Sequence, residues 1–352
     1  MSFPSQPLHI LKTHKGPVNA VTFSSTPGTY ILTGSSDRAV HLSRALPSSS
    51  SSSASSQQTT TSPIQKYESH GYSVLDIAVT TDNARFVSVG GDKQVFLWDV
   101  ETGSTVRRWG GHGGRIEAVE FGGDADSVVV SGSTDTDVKI WDTRSLTAKP
   151  IQTFTEATDT VSSIQLHTPT ATVVTASYDG RIRSYDLRMG EVNVDVMGYP
   201  VTSIRCSADG KAILASCLDG KIRMVDRADG SILKSFGDGN TALDPSILAA
   251  RRRRNQAHPP YINKDLRIRS MFAAADGIVF SGGEILEENS SANIPDAQPG
   301  AYVFAWDVLT GKLTQTVSAG PNVKVVSCVA WNEHNSTWAG GCSDGTVKIF
   351  GQ

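Results

Sequence analysis

Short runs of alternating apolar and polar residues recur along the chain, and Gly, Asp or Ser bounds each run. Apolar residues at near-alternate positions mark the runs at Val18, Ala20 and Phe23, at Val74 and Ala78, and at Ile116, Ala118 and Phe121. An alternation with period two between turn-forming residues predicts β-strands. No segment shows a convincing helical stripe, so the pattern predicts an all-β fold.

A longer motif repeats after these runs. In six copies an aspartate follows a small or hydroxyl residue by four positions, and in five of them a bulky residue comes six positions later. The six aspartates are Asp37, Asp92, Asp135, Asp179, Asp219 and Asp344. The central four are 43, 44 and 40 residues apart, which matches the repeat of a propeller blade, about 40–45 residues.

A seventh copy is interrupted after Glu284 and resumes at Tyr302. Four short strands per copy make a four-stranded antiparallel blade, so the copies predict a seven-bladed β-propeller. The last motif ends at Phe350 and leaves its blade without an outer strand. We expect Leu8–Lys12 to supply this strand, which closes one domain over residues 1–352 and removes open sheet edges.

Three polar stretches, 47–63, 237–264 and 285–300, interrupt the repeats and are predicted to be disordered inserts. The first is rich in Ser, Thr and Gln, and fits either a phosphorylatable tether or a tolerated loop insertion. The second contains four consecutive arginines, Arg251, Arg252, Arg253 and Arg254. Such a run is typical of a nuclear-targeting or RNA-contacting element, and also of solvated loop charges.

Composition narrows the classes of partner. The net charge is −3 and the isoelectric point is about 6.2, which argues against binding nucleic acid or anionic membrane over the whole surface. No apolar run approaches the roughly 18 residues of a membrane span. The N-terminal residues lack the charged and apolar regions of a secretory signal. We therefore expect an intracellular protein whose four cysteines stay reduced.

Two copies contain a His, a Ser, an Asp and a Trp at matching positions. The two sets are His70, Ser88, Asp92 and Trp98, and His112, Ser131, Asp135 and Trp141. This pattern resembles the WD-repeat family, in which the indole, hydroxyl, imidazole and carboxylate groups form a hydrogen-bonded chain. The resemblance implies two structural tetrads of the same kind here. The later blades lack the histidine, so we expect them to be looser.

The sequence contains no motif that indicates catalysis. It has no GxxxxGK[ST] phosphate loop, and the glycine-rich stretch Gly110–Gly114 falls where the WD-repeat family places a Gly-His turn. His112, Asp135 and Ser131 have the composition of a hydrolase triad, but their spacing is that of the structural tetrad. The His and Asp residues form no metal-ligand cluster. We expect no enzyme activity, no metal and no cofactor.

Two pairs of segments go beyond a generic WD repeat: Ser69–Ala78 with Gly90–Val100, and Asp159–Ile164 with Ser177–Gly190. They resemble the mitogen-activated protein kinase organizer family of WD-repeat proteins, over nearly the whole chain and most strongly from His70 to Asp226. The match weakens in the inserts, whose low-complexity sequence suggests a fungal or similarly divergent member. The resemblance implies a scaffold that gathers components of a kinase cascade and that is found with the spliceosome. The four-arginine run favours the splicing role, and a nuclear and cytoplasmic location.

Four residues beside the turn aspartates are candidate partner contacts: Arg115, Thr134, Tyr178 and Leu218. The alternative is that they are ordinary exposed turn residues. We expect protein partners for a monomeric propeller inside larger complexes, and the sequence leaves direct RNA contact open.

A rival function rests on two other arginines. The segments that end in Arg144 and Arg188 resemble the WDxR box of substrate receptors in cullin-type ubiquitin ligases. This tetrapeptide is common among WD repeats, where the arginine is exposed or forms a local ion pair.

Overall fold

The computed structural model describes residues 3–46, 58–237, 259–285 and 300–351. Within these residues the strands form seven sheets, and in each sheet strands that follow one another along the chain pair antiparallel. The sheets are the blades of a propeller, so the predicted all-β, seven-bladed fold is confirmed.

The first strand, β1, is Gln6–Leu11. Blade 1 runs from the inner to the outer strand as β2 (Val18–Phe23), β3 (Tyr30–Ser35), β4 (Val40–Arg44) and, after the short β5 (Gln58–Thr60), β6 (Gln65–Tyr67). Blade 2 contains β7 (Val74–Val79), β8 (Arg85–Gly90), β9 (Gln94–Asp99) and β10 (Thr105–Gly110). Blade 3 contains β11 (Ile116–Gly122), β12 (Val128–Ser133), β13 (Val138–Asp142) and β14 (Gln152–Phe154).

Blade 4 contains β15 (Val161–His167), β16 (Thr172–Ser177), β17 (Arg181–Asp186) and β18 (Val192–Val196). Blade 5 contains β19 (Val201–Cys206), β20 (Ala212–Cys217), β21 (Lys221–Asp226) and β22 (Ile232–Phe236). Blade 6 contains β23 (Ser270–Ala273), β24 (Ile278–Ser281), β25 (Tyr302–Asp307) and β26 (Leu313–Ser318). Blade 7 contains β27 (Val326–Asn332), β28 (Thr337–Cys342) and β29 (Val347–Gly351).

The turn between the second and third strands explains why Asp-Gly recurs. In six blades the residue after the turn aspartate has a positive φ between 59° and 83°. These residues are Arg38, Lys93, Thr136, Gly180, Gly220 and Gly345. Glycine adopts this left-handed conformation without steric cost, whereas a residue with a Cβ is disfavoured there.

The N-terminal strand closes the ring. β1 pairs antiparallel with β29, with Gln6 opposite Gly351 and Leu11 opposite Val347. The indole N–H of Trp338 donates to the carbonyl of Pro4 at 2.7 Å, which fixes the chain ahead of the strand. The predicted N-terminal closure is therefore confirmed.

The structure corrects the first predicted insert at its C-terminal end. Residues 47–57 lie outside the described part of the chain, but β5 pairs in parallel with the outer edge of β1. The N–H of Lys12 donates to the carbonyl of Thr60 at 2.8 Å, and His9 Nε2 lies 2.8 Å from Thr60 Oγ1. The prediction of disorder is wrong for these three residues because they pair with a sheet edge that is otherwise open.

The second predicted insert is also too long. Tyr261 is buried and packs edge-on against Trp306 of blade 6, with ring centroids 5.2 Å apart. Asn263 is fully buried. Residues 260–263 therefore belong to the core, whereas 238–258, and 286–299 of the third insert, lie outside the described residues. In the described ranges, no helix is long and apolar enough to cross a membrane.

Candidate protein-interaction face

The first tetrad links the turn of blade 2 to the loop before the blade. The indole N–H of Trp98 donates to Ser88 Oγ at 2.8 Å, and Ser88 Oγ lies 2.7 Å from His70 Nε2. His70 Nδ1 lies 2.5 Å from Asp92 Oδ2. An ionised carboxylate only accepts, so His70 donates from Nδ1 and accepts the serine hydrogen at Nε2. The four groups form one continuous chain from the core to the turn.

The second tetrad repeats this geometry in blade 3. The indole N–H of Trp141 donates to Ser131 Oγ at 2.8 Å, Ser131 Oγ lies 2.9 Å from His112 Nε2, and His112 Nδ1 lies 3.0 Å from Asp135 Oδ2. Burial lowers the pKa of His112, against the opposing effect of Asp135, so this imidazole is neutral at pH 7. Ser131 is completely buried and cannot reach a substrate, so the hydrolase interpretation has no structural support.

Blades 4 and 5 replace the histidine with an arginine. Arg183 Nη2 donates to Asp179 Oδ2 at 2.7 Å, and Arg223 Nη1 donates to Asp219 Oδ1 at 3.1 Å. Each arginine lies four residues after its aspartate on the third strand of the blade. Sequence reasoning missed this substitution and expected looser blades, but both carboxylates have a charged, largely buried partner.

One backbone hydrogen bond recurs around the ring and brings the four candidate contacts to the same end of the propeller. The residue before the turn aspartate donates its N–H to a carbonyl just ahead of the inner strand. Thr134 bonds to Arg115 at 2.9 Å, Tyr178 to Thr160 at 3.0 Å, and Leu218 to Pro200 at 3.0 Å. We call this end, which carries Arg115, Thr134, Tyr178 and Leu218, the turn face.

Glu117 organises the centre of the turn face. Its Oε1 lies 2.6 Å from Arg115 Nε, and its Oε2 accepts from Arg267 Nη1 at 3.3 Å across the channel. The Arg115 side chain is still 61% exposed, whereas Glu117 is 7% exposed. Burial raises the pKa of Tyr178, which interacts electrostatically with Arg267 and Glu117. An oriented arginine beside a tyrosine can bind carboxylate or carbonyl groups of a partner.

A second arginine of blade 6 also crosses the channel. Arg269 Nη1 lies 2.8 Å from Asp76 Oδ1, and Arg269 Nη2 donates to the carbonyl of Leu75 at 3.1 Å. Arg267, Arg269, Glu117 and Asp76 are not among the candidate contacts predicted from the sequence. The available signal was the alternation Arg267-Ile268-Arg269 directly before an inner strand, where charged residues are unusual.

The channel below these ion pairs contains a cavity of about 320 Å³. Glu120 and Arg205, from blades 3 and 5, line it. Burial raises the pKa of Glu120 to about 7, and the charge of Arg205 opposes this increase. In the described residues, no group of His, Cys, Asp and Glu has the geometry of a metal site.

The two WDxR candidates lie at the opposite end of the propeller, which we call the far face. Arg144 and Arg188 sit in the turns that connect the third and fourth strands of blades 3 and 4. Arg144 is 76% exposed, with Nε 3.8 Å from Asp142 Oδ1, and Arg188 is exposed. The backbone N–H groups of both arginines donate to the aspartate two residues earlier. The candidate nuclear-targeting run, Arg251, Arg252, Arg253 and Arg254, lies outside the described residues.

Comparison with known proteins agrees with this architecture. The family model described as "WD domain, G-beta repeat" matches residues 5–42, 61–99, 103–142, 148–186, 194–226 and 311–351. These segments cover more than half of the chain, so the protein belongs to this WD-repeat family. Proteins of this family are typically non-catalytic scaffolds. The inner three strands of blade 6 fall outside the matched segments, in keeping with the interrupted seventh copy.

Individual relatives extend the similarity over the whole propeller. The chain is 26% identical to the WD repeat domain-containing protein 83 homolog of Dictyostelium discoideum, over 97% of each chain. It is 39% identical to WD repeat domain-containing protein 83 of Rattus norvegicus, over 66% of this chain and 69% of that protein. It is 32% identical to an uncharacterized WD repeat-containing protein of Schizosaccharomyces pombe, over 89% and 88% of the two chains.

Proposed function

We propose that this protein is a non-catalytic scaffold whose turn face binds other proteins during pre-mRNA splicing, or in a mitogen-activated protein kinase cascade, or in both. The observation that carries the proposal is the position of Arg115. Its guanidinium is exposed and forms an ion pair with Glu117. The contact across the channel to Arg267 in turn orients the Glu117 carboxylate.

Rigidity supports this mechanism. The recurring backbone bond fixes the turns of blades 1 to 5 and of blade 7 to the neighbouring loops, and the tetrads connect the turns of blades 2 and 3 to the core. A partner that binds such a surface orders few additional groups, so little conformational entropy is lost on association. Arg115, already oriented by an ion pair, loses less side-chain freedom than an unconstrained arginine.

The choice of process rests on resemblance and on one sequence element. The chain resembles the mitogen-activated protein kinase organizer family, which implies both a kinase cascade and the spliceosome. Its similarity to WD repeat domain-containing protein 83 extends over several blades. The arginines from Arg251 to Arg254 support a nuclear role, and a location in both nucleus and cytoplasm fits the two processes.

The test is affinity purification with mass spectrometry, with and without nuclease, on the wild type and two variants. Arg115→Glu reverses a charge on the turn face, and Arg144→Glu makes the matched change on the far face. We expect Arg115→Glu to lose splicing factors or kinase-cascade components at least about tenfold, as for a binding hot spot. Arg144→Glu should retain them. Full retention by Arg115→Glu would remove the turn face from the mechanism.

A substrate receptor of a cullin-type ubiquitin ligase is the second candidate function. It is favoured by the exposure of Arg144 and Arg188 at the same end of two adjacent blades. This function predicts co-purification of the ligase adaptor, which the double variant Arg144→Ala and Arg188→Ala would lose and Arg115→Glu would keep.

A further inference from the structure

The exposed apolar surface of this propeller is concentrated on three blades. Of the seventeen large hydrophobic side chains exposed in the described residues, ten lie between residues 146 and 233, on blades 3 to 5. Three of the ten are alternate residues of β18, the outer strand of blade 4. Val192, Val194 and Val196 are 39%, 49% and 69% exposed. Alternate residues of a strand share one face, so these valines form an apolar stripe at the rim.

The backbone of the same three valines is directed to the open edge of the sheet. On the inner side of β18, the N–H of Asp186 donates to the carbonyl of Glu191, and the N–H of Met197 donates to that of Gly180. Hydrogen-bonded and non-hydrogen-bonded positions alternate along an antiparallel pair. The odd-numbered residues of β18 therefore bond to β17, and the valines between them direct their N–H and C=O groups outward.

The outer strands of the other blades differ from β18. β6, β10 and β22 carry the positive charges Lys66, Arg107 and Arg108, and Lys234, which discourage further pairing, whereas the single charged residue of β18 is Asp195. β14 has only three residues, β26 alternates threonines with a glutamine, and β5 covers β1. In the described part of the chain, β18 thus combines an open edge with an apolar face.

We propose that β18 pairs antiparallel with β18 of a second copy of this chain, on a twofold axis through Val194. The sequence Val-Asn-Val-Asp-Val from Val192 to Val196 reads nearly the same in both directions. In this pairing Val194 faces Val194 of the second copy, and the three valines of each copy form one apolar cluster. A contact in which the same patch meets itself is the usual form of a symmetric dimer.

Charge selects this alignment over its neighbours. With Val194 on the axis, Asn193 lies opposite Asp195 of the second copy, so an amide faces a carboxylate. A shift by two residues in one direction places Asp195 opposite Asp195, and in the other direction it places Glu191 opposite Asp195. Like charges directly opposite each other destabilise a strand pair. A shift by one residue would place the outward-directed backbone groups of the valines opposite the odd-numbered residues of the second β18. The backbone groups of those residues already bond inward to β17.

The dimer departs from the monomer that we expected from the sequence, and a five-residue strand makes it concentration-dependent. Sedimentation velocity of the full chain measures it. The weight-average mass of the wild type should rise from 37.5 kDa toward twice that value as the concentration increases. Val194→Glu should stay at 37.5 kDa, because two glutamates would meet on the axis. In the monomer Val194 is 49% exposed, so the glutamate side chain can remain in water.

The matched control is Val106→Glu. Val106 lies on the outer strand of blade 2 and is 49% exposed, the same fraction as Val194. The Val106→Glu variant should dimerise like the wild type. A wild type that remains monomeric at every concentration, or equal loss of the dimer in both variants, would overturn the proposal.

A charge exchange tests the alignment itself. Asn193→Asp should weaken the dimer at least about tenfold, because two pairs of aspartates then face each other across the axis. Adding Asp195→Asn exchanges the amide and the carboxylate, and should restore the wild-type association constant. If the double variant is as weak as Asn193→Asp alone, this alignment is wrong.

Discussion

Blades 2 and 3 hold their turn aspartates with histidines, whereas blades 4 and 5 hold theirs with arginines. His70 and His112 come from the loop before the blade, so each joins three separate elements through a serine and a tryptophan. Arg183 and Arg223 come from the strand directly after the turn and join only neighbouring segments. The same turn is therefore stabilised by a long hydrogen-bonded network through an imidazole in one half of the ring and by a short ion pair in the other.

The difference determines how the stability of each blade responds to loss of its turn aspartate and to pH. In blade 4 the hydroxyl and the N–H of Thr158 also donate to Asp179, so the loop stays connected to the turn. Histidine can remain neutral when its aspartate is lost, but arginine stays charged at every accessible pH. The arginine blades should tolerate loss of the aspartate less well, and the histidine blades should respond more to pH.

The largest effect should follow loss of an aspartate that faces an arginine. Asp179→Ala leaves Arg183, whose side chain is 3% exposed, without a counter-charge, and should cost about 3–5 kcal/mol of unfolding free energy. Asp135→Ala leaves a neutral imidazole without an acceptor and should cost about 1–3 kcal/mol. Urea denaturation of both variants measures the difference.

A double variant is the control for this comparison. Replacing Arg183 with Met in the Asp179→Ala background removes the buried charge and should recover most of the lost stability. Equal costs for the two single variants, or a double variant less stable than Asp179→Ala, would show that the charge of Arg183 is not the cause.

The pH response should come from the histidine side of the ring. In blade 1, His41 stacks on His14 with ring centroids 4.0 Å apart, and burial followed by the charge of His14 lowers the pKa of His41 to about 4. In the unfolded chain His41 has its ordinary pKa of 6.5. Between pH 4 and pH 6.5 the unfolded chain therefore binds more protons at His41 than the folded protein does. Stability is therefore complete above pH 6.5 and is lost as the pH falls toward 4.

His41→Phe keeps the stacking on His14 and removes the titrating group. Between pH 7 and pH 5, the wild type should lose about 1 kcal/mol more unfolding free energy than this variant, a value reduced from the full linkage by solvent screening. Chemical denaturation at the two pH values gives the comparison. Identical losses in the two proteins would exclude His41 as the source.

The sequence predicts the histidine side of this comparison better than the arginine side. Four residue types at fixed spacing identify the chain from Trp98 to Asp92. The sequence also shows that Arg183 follows Asp179 by four residues. Alternation along a strand, however, does not predict whether the Arg183 side chain contacts the turn of its own blade or a neighbouring blade. The contact of Arg267 with Glu117 joins residues 150 positions apart and depends on the closed ring, so no local pattern contains it.

Blade 6 supplies a third arrangement and the smallest expected effect. Glu284 replaces the turn aspartate, and its Oε1 accepts from the N–H of Leu266 at 2.8 Å and from that of Asp265 at 3.3 Å. Glu284 thus binds the loop before the blade through backbone N–H groups, and in the described residues no histidine or arginine pairs with it. Glu284→Ala should cost about 0.5 kcal/mol, because the freed N–H groups are exposed and can bond to water. Glu284→Gln, which keeps an acceptor oxygen, should match the wild type in thermal denaturation. A loss as large as that of Asp179→Ala would mean that the loop link, rather than the buried charge, controls the stability of these turns.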